Sequence, residues 1–236
     1  MSTLLVVRHG EATGYGGARI ELTAAGRAQA RALGEAWAAR GVTLAQVAVG
    51  PSERHADTAA AVLEALRAAG RPAPAPVVAP ELDEYPAVAL VTRGLPLLQA
   101  GGGEGAALAA ALAAAQARGA GAERAFDRVY RHIMAQYAAG ALPFADLITF
   151  AGFRAGVGRW LDGLCAACPR GATVAAFASA GTVAAFVGHA LAAPDDRVLE
   201  LSFVVRNTSV TELRFTTGRL SLVGFNEVAH LAGAPH

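Results

Sequence analysis

Leu4-Leu5-Val6-Val7-Arg8-His9-Gly10-Glu11 is the stretch on which the reading of this chain turns. Four consecutive aliphatic residues have the length of a buried strand, and charge arrives abruptly at their end as an arginine and a histidine followed by glycine. A strand that hands over to a loop at such a pair puts both side chains at the carboxyl edge of a sheet, where open α/β sheets bind ligands. There a neutral imidazole can take a phosphoryl group on one ring nitrogen while the other donates to a backbone carbonyl and fixes the tautomer. The neighbouring guanidinium clamps phosphate oxygens and lowers the histidine's pKa, keeping the nucleophile unprotonated near neutrality. Arg-His-Gly alone is a short string, more often incidental than catalytic.

Outward from this stretch, short apolar runs alternate with longer helical patterns, as in crossover units around a mainly parallel sheet. Strands are expected over residues 3–8, 45–49, 77–79 and 173–178, and the alternating runs 208–215 and 220–225, joined through Thr217-Gly218-Arg219, read as a hairpin. Helices are expected over 24–39, 52–68, 123–138, 147–164 and 182–191. His9 and Ser179 both fall at carboxyl ends of strands. Residues 85–150 form an insertion rich in alanine and glycine, with Gly101-Gly102-Gly103-Glu104-Gly105 as a flexible joint before the low-complexity run 106–122. It reads as a helical cap packed with small side chains, a form compatible with a lid over the site. The fold class is α/β: a three-layer sandwich with a mainly parallel central sheet, helices on both faces and a helical cap insertion, in a single domain spanning 1–236.

Five segments, in order, resemble the histidine phosphatase superfamily, which includes the cofactor-dependent phosphoglycerate mutases. Leu4 to Glu11 is similar to that family's opening strand and nucleophile loop, and Leu22-Thr23-Ala24-Ala25-Gly26-Arg27-Ala28-Gln29-Ala30 to the start of its first helix. Pro51-Ser52-Glu53-Arg54-His55-Ala56-Asp57-Thr58-Ala59 resembles the segment with a second phosphate-binding arginine, here Arg54. Leu82-Asp83-Glu84-Tyr85 resembles the loop that supplies the acid/base glutamate, here Glu84, with Asp83 and Glu81 as substitutes if the register slips. Residues 207–213 and 225–231 resemble the closing strands. The resemblance implies a nucleophile at His9, phosphate contacts from Arg8 and Arg54, substrate-side positions at Glu11 and Thr13, and no metal or other cofactor.

One match fails, at the chemistry. The family's second catalytic histidine normally follows a buried strand in a Ser-His-Gly-Gly type turn, whereas here residues 173–177 run into Ala178-Ser179-Ala180-Gly181-Thr182. Ala180 stands where that histidine is expected, either as a natural branch with a small residue in a Thr-Ser-Gly-Gly-Pro type pattern or as an engineered replacement. A methyl group neither donates to a phosphoryl oxygen nor carries charge, and losing one oriented donor typically costs about 10²- to 10³-fold in rate. Ser179 and the amides of Ala180, Gly181 and Thr182, at a helix start, are candidates to replace part of that function. After Glu11, Ala12-Thr13-Gly14-Tyr15 lacks the asparagine that mutases carry in this loop, which disfavours mutase activity.

Arg54, at a helix entrance after Pro51-Ser52, can meet an anion together with the helix amides. Glu84 in the acid/base role needs a pKa raised by partial burial. His55, next to Arg54, is the one other histidine placed to act near the site. His132 lies in the insertion, His189 on a helix, His230 in the closing motif and His236 at the terminus, where packing or hydrogen bonding is the ordinary role. Arg93, Arg118, Arg124, Arg128 and Arg131 of the insertion read first as solvated surface arginines.

Composition bounds the rest. With 236 residues, 54% hydrophobic and 17% charged, the chain can bury a substantial core and is too apolar for disorder. Every one of its 20 basic lysine-or-arginine residues is arginine, the mark of GC-rich coding, and a formal net charge of +1 gives no electrostatic case for nucleic acid or an anionic membrane as partner. No segment reads as a signal peptide or membrane span, since the run at residues 4–7 is far shorter than the roughly 18 residues a span needs. Cys165 and Cys168 have a Cys-x-x-Cys spacing, but only two cysteines exist and they end a helical run, so ordinary helix-end residues in a reducing cytoplasm are expected. The reading is a metal-independent phosphomonoesterase acting through a phosphohistidine on His9 upon a small-molecule phosphate ester; a homodimer is compatible with it. The alternatives are a silent phosphate-ligand binder or a fold repurposed for other metabolite chemistry.

Overall fold

In a computed structural model, which describes residues 1–13 and 20–232, the opening aliphatic run lies in the middle of a six-stranded sheet. Its strand β1 (Ser2–Arg8) is followed by α1 (Ala24–Ala39), β2 (Gln46–Val49), α2 (Glu53–Ala68) and β3 (Pro76–Val78). After a 3-10 turn over Pro80–Leu82 come α3 (Ala87–Ala100), α4 (Gly103–Arg118), α5 (Ala122–Ala138) and α6 (Phe150–Ala167). The chain then returns through β4 (Thr173–Ala178), α7 (Ala180–Leu191) and α8 (Asp195–Ser202) to the hairpin of β5 (Val210–Thr216) and β6 (Arg219–Glu227). The strand order is β3-β2-β4-β1-β5-β6. The first four strands in that order are parallel and the hairpin is antiparallel, so the sheet is mainly parallel with helices around it. Among the described residues no helix is long and apolar enough to cross a membrane.

Alternation along the strands sorts the core. Leu5 and Val7 of β1 join Val47, Val49, Ala175 and Phe177 on one face, against Ala30, Leu33 and Trp37 of α1 and Ala59, Val62, Leu63 and Leu66 of α2. Leu4 and Val6 point the other way and are equally buried. α7, whose residues 181–188 are all buried, carries Phe186, and its ring meets Trp160 of α6 edge-on with 5.7 Å between centroids.

The chain divides into two compact units, Met1–Glu84 with Arg154–His236, and Tyr85–Phe153. In the second, Tyr85, Tyr137, Phe150 and Phe153 form an aromatic cluster, with Tyr85 and Phe153 edge-to-face at 5.6 Å. Arg93 there binds Asp146 with both terminal nitrogens, at 2.7 and 2.9 Å, and lies over the Phe144 ring; Arg131 pairs with Asp127. Arg118, Arg124 and Arg128 line a groove along α4 and α5.

Several element boundaries correct the sequence reading. The glycine joint shrinks to Gly101 and Gly102, because the alanine-rich segment draws residues 103–105 into the first turn of α4. α3 is a helix despite Pro96 inside it, and α8 is a short helix with Asp195 and Asp196 favourably placed in its first turn. α6 starts three residues later than expected, where the Thr149 hydroxyl accepts from the Gly152 amide. α7 starts two residues earlier, directly after Ser179. The hairpin's first strand begins at Val210, since Thr208 has a positive φ of 53° and turns the chain.

Candidate active site

β2, β4 and β1 are neighbours, and the loops that leave their carboxyl ends meet. Arg8 is paired with Ala178 across the β1–β4 ladder, so His9 and Ser179 emerge side by side, and the His9 amide donates to the Ala178 carbonyl at 2.9 Å. Val49 is paired with Phe177 in the next ladder, which brings the loop into α2 alongside. Distant groups then fix the loop after β1. The Gly10 amide donates to the Thr58 hydroxyl at 3.0 Å, and that hydroxyl donates to the Arg54 carbonyl at 2.6 Å. Asn207 donates its side-chain amide to the His9 carbonyl at 3.0 Å, and the Thr208 amide also donates to the Arg8 and His9 carbonyls. Thr208 Oγ1 and His230 Nε2 lie 2.9 Å apart. Thr23 caps α1 by accepting from the Gly26 amide and donates to the Glu11 carboxylate at 2.8 Å. Glycine is required twice at this junction: a Cβ on Gly10 would lie 2.5 Å from the Gly26 carbonyl oxygen, and one on Gly26 would lie 2.0 Å from that of Glu11.

His9 is 8% exposed, and its Nδ1 is 2.7 Å from the Gly10 carbonyl oxygen. A carbonyl only accepts, so Nδ1 carries the proton and Nε2 holds the lone pair. Burial first, then the charges of Arg54 and Arg8, lower the His9 pKa to about 2 against the pull of the Gly10 bond. The ring is neutral across the physiological range. Arg8 reaches the Val205 carbonyl with Nη1. Arg54 donates through Nη2 to Ser179 Oγ at 3.0 Å, while its Nε is shut off from solvent with no acceptor among the described residues. His55 is fully buried, its Nε2 is 2.7 Å from the same Ser179 oxygen, and its ring centroid is 5.8 Å from that of His9. Burial, then Arg54, lower its pKa to about 3. Glu84 Oε2 accepts from the Gly181 amide at 2.9 Å, at the positive end of α7, and the Thr182 hydroxyl donates to the Asp83 carbonyl at 2.9 Å. Cationic groups, a neutral imidazole, a carboxylate and a helix N-terminus thus meet at one sheet edge, an arrangement suited to phosphoryl transfer.

The family model of the histidine phosphatase superfamily, branch 1, matches residues 4–87 and 121–228. The chain belongs to that superfamily. Among solved structures, the chain is similar to a phosphoserine phosphatase from Entamoeba histolytica in complex with 3-phosphoglyceric acid, at 19% identity and a TM-score of 0.64, covering 98% of this chain and 100% of the other. It is also similar to a putative alpha-ribazole-5'-P phosphatase from Escherichia coli K-12, at 20% identity and 0.65, with 97% of each chain covered. A phosphoglycerate mutase from Bacillus anthracis matches at 18% identity and 0.64, over 98% of this chain and 95% of that one. At these identities the likeness is one of fold. No match was found among curated proteins.

Arg54 is thus bonded to Ser179 and Glu84 to Gly181, His9 leaves β1 bonded to Ala178, and Arg8 leads directly into His9. Ala180 is the first residue of α7 and presents only a methyl group. Glu11 faces Thr23, and the Thr13 hydroxyl accepts from the Glu21 amide, so both brace the loop through bonds of their own. Gly14 and Tyr15 lie outside the described residues, as does His236. His132 lies beside Gln136 and His189 beside Asp162, in line with ordinary packing roles. Cys165 and Cys168 are half-buried free thiols whose pKa burial raises, the opposite of an activated thiolate. Among the described residues no three His, Cys, Asp or Glu side chains converge as metal ligands. Sequence reasoning missed Thr58, Asn207 and Thr208 as supports of the chain at Arg8, His9 and Gly10. The signal available for them was polar residues flanking apolar runs near family-like segments, which specifies no partner.

Proposed function

We propose that this histidine phosphatase hydrolyses small-molecule phosphomonoesters through a phosphohistidine formed on His9, without a metal. His9 Nε2 attacks phosphorus in line with the ester oxygen; the P–O bond to the alcohol breaks, and Glu84 gives its proton to the departing alkoxide. Arg8 and Arg54 hold the non-bridging oxygens, and the buried Arg54 Nε is a donor suited to one of them. A water then attacks the phosphohistidine, Glu84 takes its proton back, and inorganic phosphate leaves with His9 restored. Positioning and charge neutralisation supply most of the acceleration in phosphoryl transfer, so a nucleophile between two arginines carries the core of the reaction. In this reading Ala180 occupies the place of the superfamily's second catalytic histidine and lowers the rate.

The observation that carries the proposal is the fixed tautomer of His9: Nδ1 held at 2.7 Å by a carbonyl and Nε2 left with its lone pair, in a ring that stays neutral. The phosphatases among the similar structures support a phosphate ester as the substrate class. Ala180 favours one second reading, a protein that binds a phosphorylated ligand without turning it over. Phosphate release from a panel of phosphomonoesters, with chelator present and His9→Ala as control, decides between them. Chelator-resistant turnover that vanishes in the control is expected; equal release from both proteins would reject the hydrolase.

A further inference from the structure

The segment between α8 and β5, residues 204–209, is bonded to Arg8 through main chain and side chain alike. The Arg8 amide donates to the Ser209 carbonyl at 3.2 Å, the Thr208 amide donates to the Arg8 carbonyl at 3.0 Å, and Arg8 Nη1 donates to the Val205 carbonyl. The first two bonds fix the backbone where β1 ends. The last acts on the guanidinium, a rigid planar fork in which a bond to one terminal nitrogen sets the direction of the remaining donors.

The Val205 carbonyl is itself held from β6. Asn226 Oδ1 accepts from the Arg206 amide at 2.7 Å, and Asn226 Nδ2 donates to the Val204 carbonyl, also at 2.7 Å. One side-chain amide thus brackets Val205, gripping the residue before it and the residue after it. Val205 is buried, whereas Val204 is 55% exposed, so packing secures this loop from one side and Asn226 ties it from another.

The local geometry of β6 delivers this side chain. The pairing with β5 passes from Val210–Glu227 to Glu212–Gly224, so β6 carries an extra residue there, and such a bulge re-aims side chains. Asn226 lies in the bulge with a φ of 59°, and its amide donates to Thr211 Oγ1 at 3.3 Å. A turn alone would be served by glycine at that φ. Asparagine adopts it at modest cost and brings a donor and an acceptor with it.

We infer that Asn226 is a positioning residue of the phosphoryl site: by bracketing Val205 it aims the Arg8 guanidinium at the phosphoryl group presented to His9. The inference rests on the phosphatase reading for the identity of that anion. It makes the hairpin that closes the sheet a part of the phosphate clamp.

The test is a pair of double-mutant cycles on the full chain, with an aryl phosphate as substrate and orthophosphate as the binding probe. Asn226→Gly keeps the backbone conformation and removes both bonds to the loop. It is expected to lower kcat/KM about 10-fold and to weaken orthophosphate binding several-fold. Combined with Arg8→Ala, it is expected to add nothing to the loss that Arg8→Ala causes alone, whereas with Arg54→Ala the two losses multiply. An asparagine that only stabilised the hairpin would combine with both arginines alike, so the same behaviour in the two cycles overturns the inference. A folded Asn226→Gly within twofold of the parent also overturns it. If Asn226→Gly fails to fold, Asn226→Asp, which keeps an acceptor for the Arg206 amide and loses the donor to Val204, provides the same cycles. If the parent shows no His9-dependent phosphate release, the hydrolase reading falls and orthophosphate affinity carries both cycles. Coupling to Arg8 without coupling to Arg54 then sustains the role of Asn226, and coupling to neither overturns it.

Discussion

His9 is kept neutral by its surroundings rather than by the solution. Because burial, Arg54 and Arg8 hold its pKa near 2, the free protein is expected to show no acid limb with a midpoint near 6.5 in kcat/KM, once substrate ionisation is taken into account. A limb near 6.5 that disappears when His9 is replaced would contradict the tautomer argument. Arg54 is the second residue whose chemistry is specific. Its fork reaches Ser179 with Nη2 and keeps a buried Nε in reserve, so Arg54→Lys is expected to behave like Arg54→Ala, with phosphate-ester turnover down about 10²-fold or more. A lysine variant with near-parental kcat would show that charge alone suffices. Ala180→His is expected to raise kcat by less than about 10-fold, since the backbone amides that open α7 already stand beside it as donors. A rise of several orders of magnitude would mean that nothing in this chain replaces the missing imidazole.

At the scale of elements, the candidate site depends on how closely α1 approaches the chain at Gly10 and Glu11. Gly26→Ala puts a methyl group 2.0 Å from the Glu11 carbonyl oxygen, so either the helix or the loop has to shift. The expected result is a loss of about 1–3 kcal/mol in stability, read by urea unfolding, together with a fall in kcat/KM, whereas Gly163→Ala, which meets nothing on α6, serves as control. The periodic parts of this architecture were legible in the sequence: β4 and α1 fall on the expected residues, and β1 within one residue, because short apolar runs and helical patterns are local signals. α8 was not legible, since eight residues give too few turns for a helical period to stand out. The supports of the loop after β1 were not legible either. Asn207 reaches the His9 carbonyl across 198 positions and Thr58 reaches Gly10 across 48, and no window along the chain contains both partners. Arg8, His9, Arg54 and Glu84 were singled out because they lie in segments with a family likeness, whereas the Ser179–His55 contact needed coordinates.

For the molecule as a whole, burying neutral histidines ties stability to acid. His9 and His55 stay unprotonated in the fold down to about 2 and 3, whereas in the unfolded chain each takes a proton near 6.5. Below that pH the unfolded state binds more protons, so the sign is fixed: stability is fully present above about 6.5 and falls as the pH drops, by about 1.4 kcal/mol per pH unit for each histidine. His230, lowered by burial to about 4, acts in the same direction. Urea midpoints between pH 7.5 and 5 are expected to decline, and His55→Met is expected to reduce the slope by about one proton. A midpoint that does not change over this window would contradict the burial of neutral imidazoles.

The side-by-side exit of the loops after β1, β2 and β4 has a consequence for how such proteins are counted. Positions 9, 55 and 179 are far apart along the chain, yet strand register brings them to one point. A linear motif reads alanine at position 180, whereas proximity in the fold finds two imidazole rings with centroids 5.8 Å apart. Inventories of the superfamily built from aligned columns alone do not register such a pair.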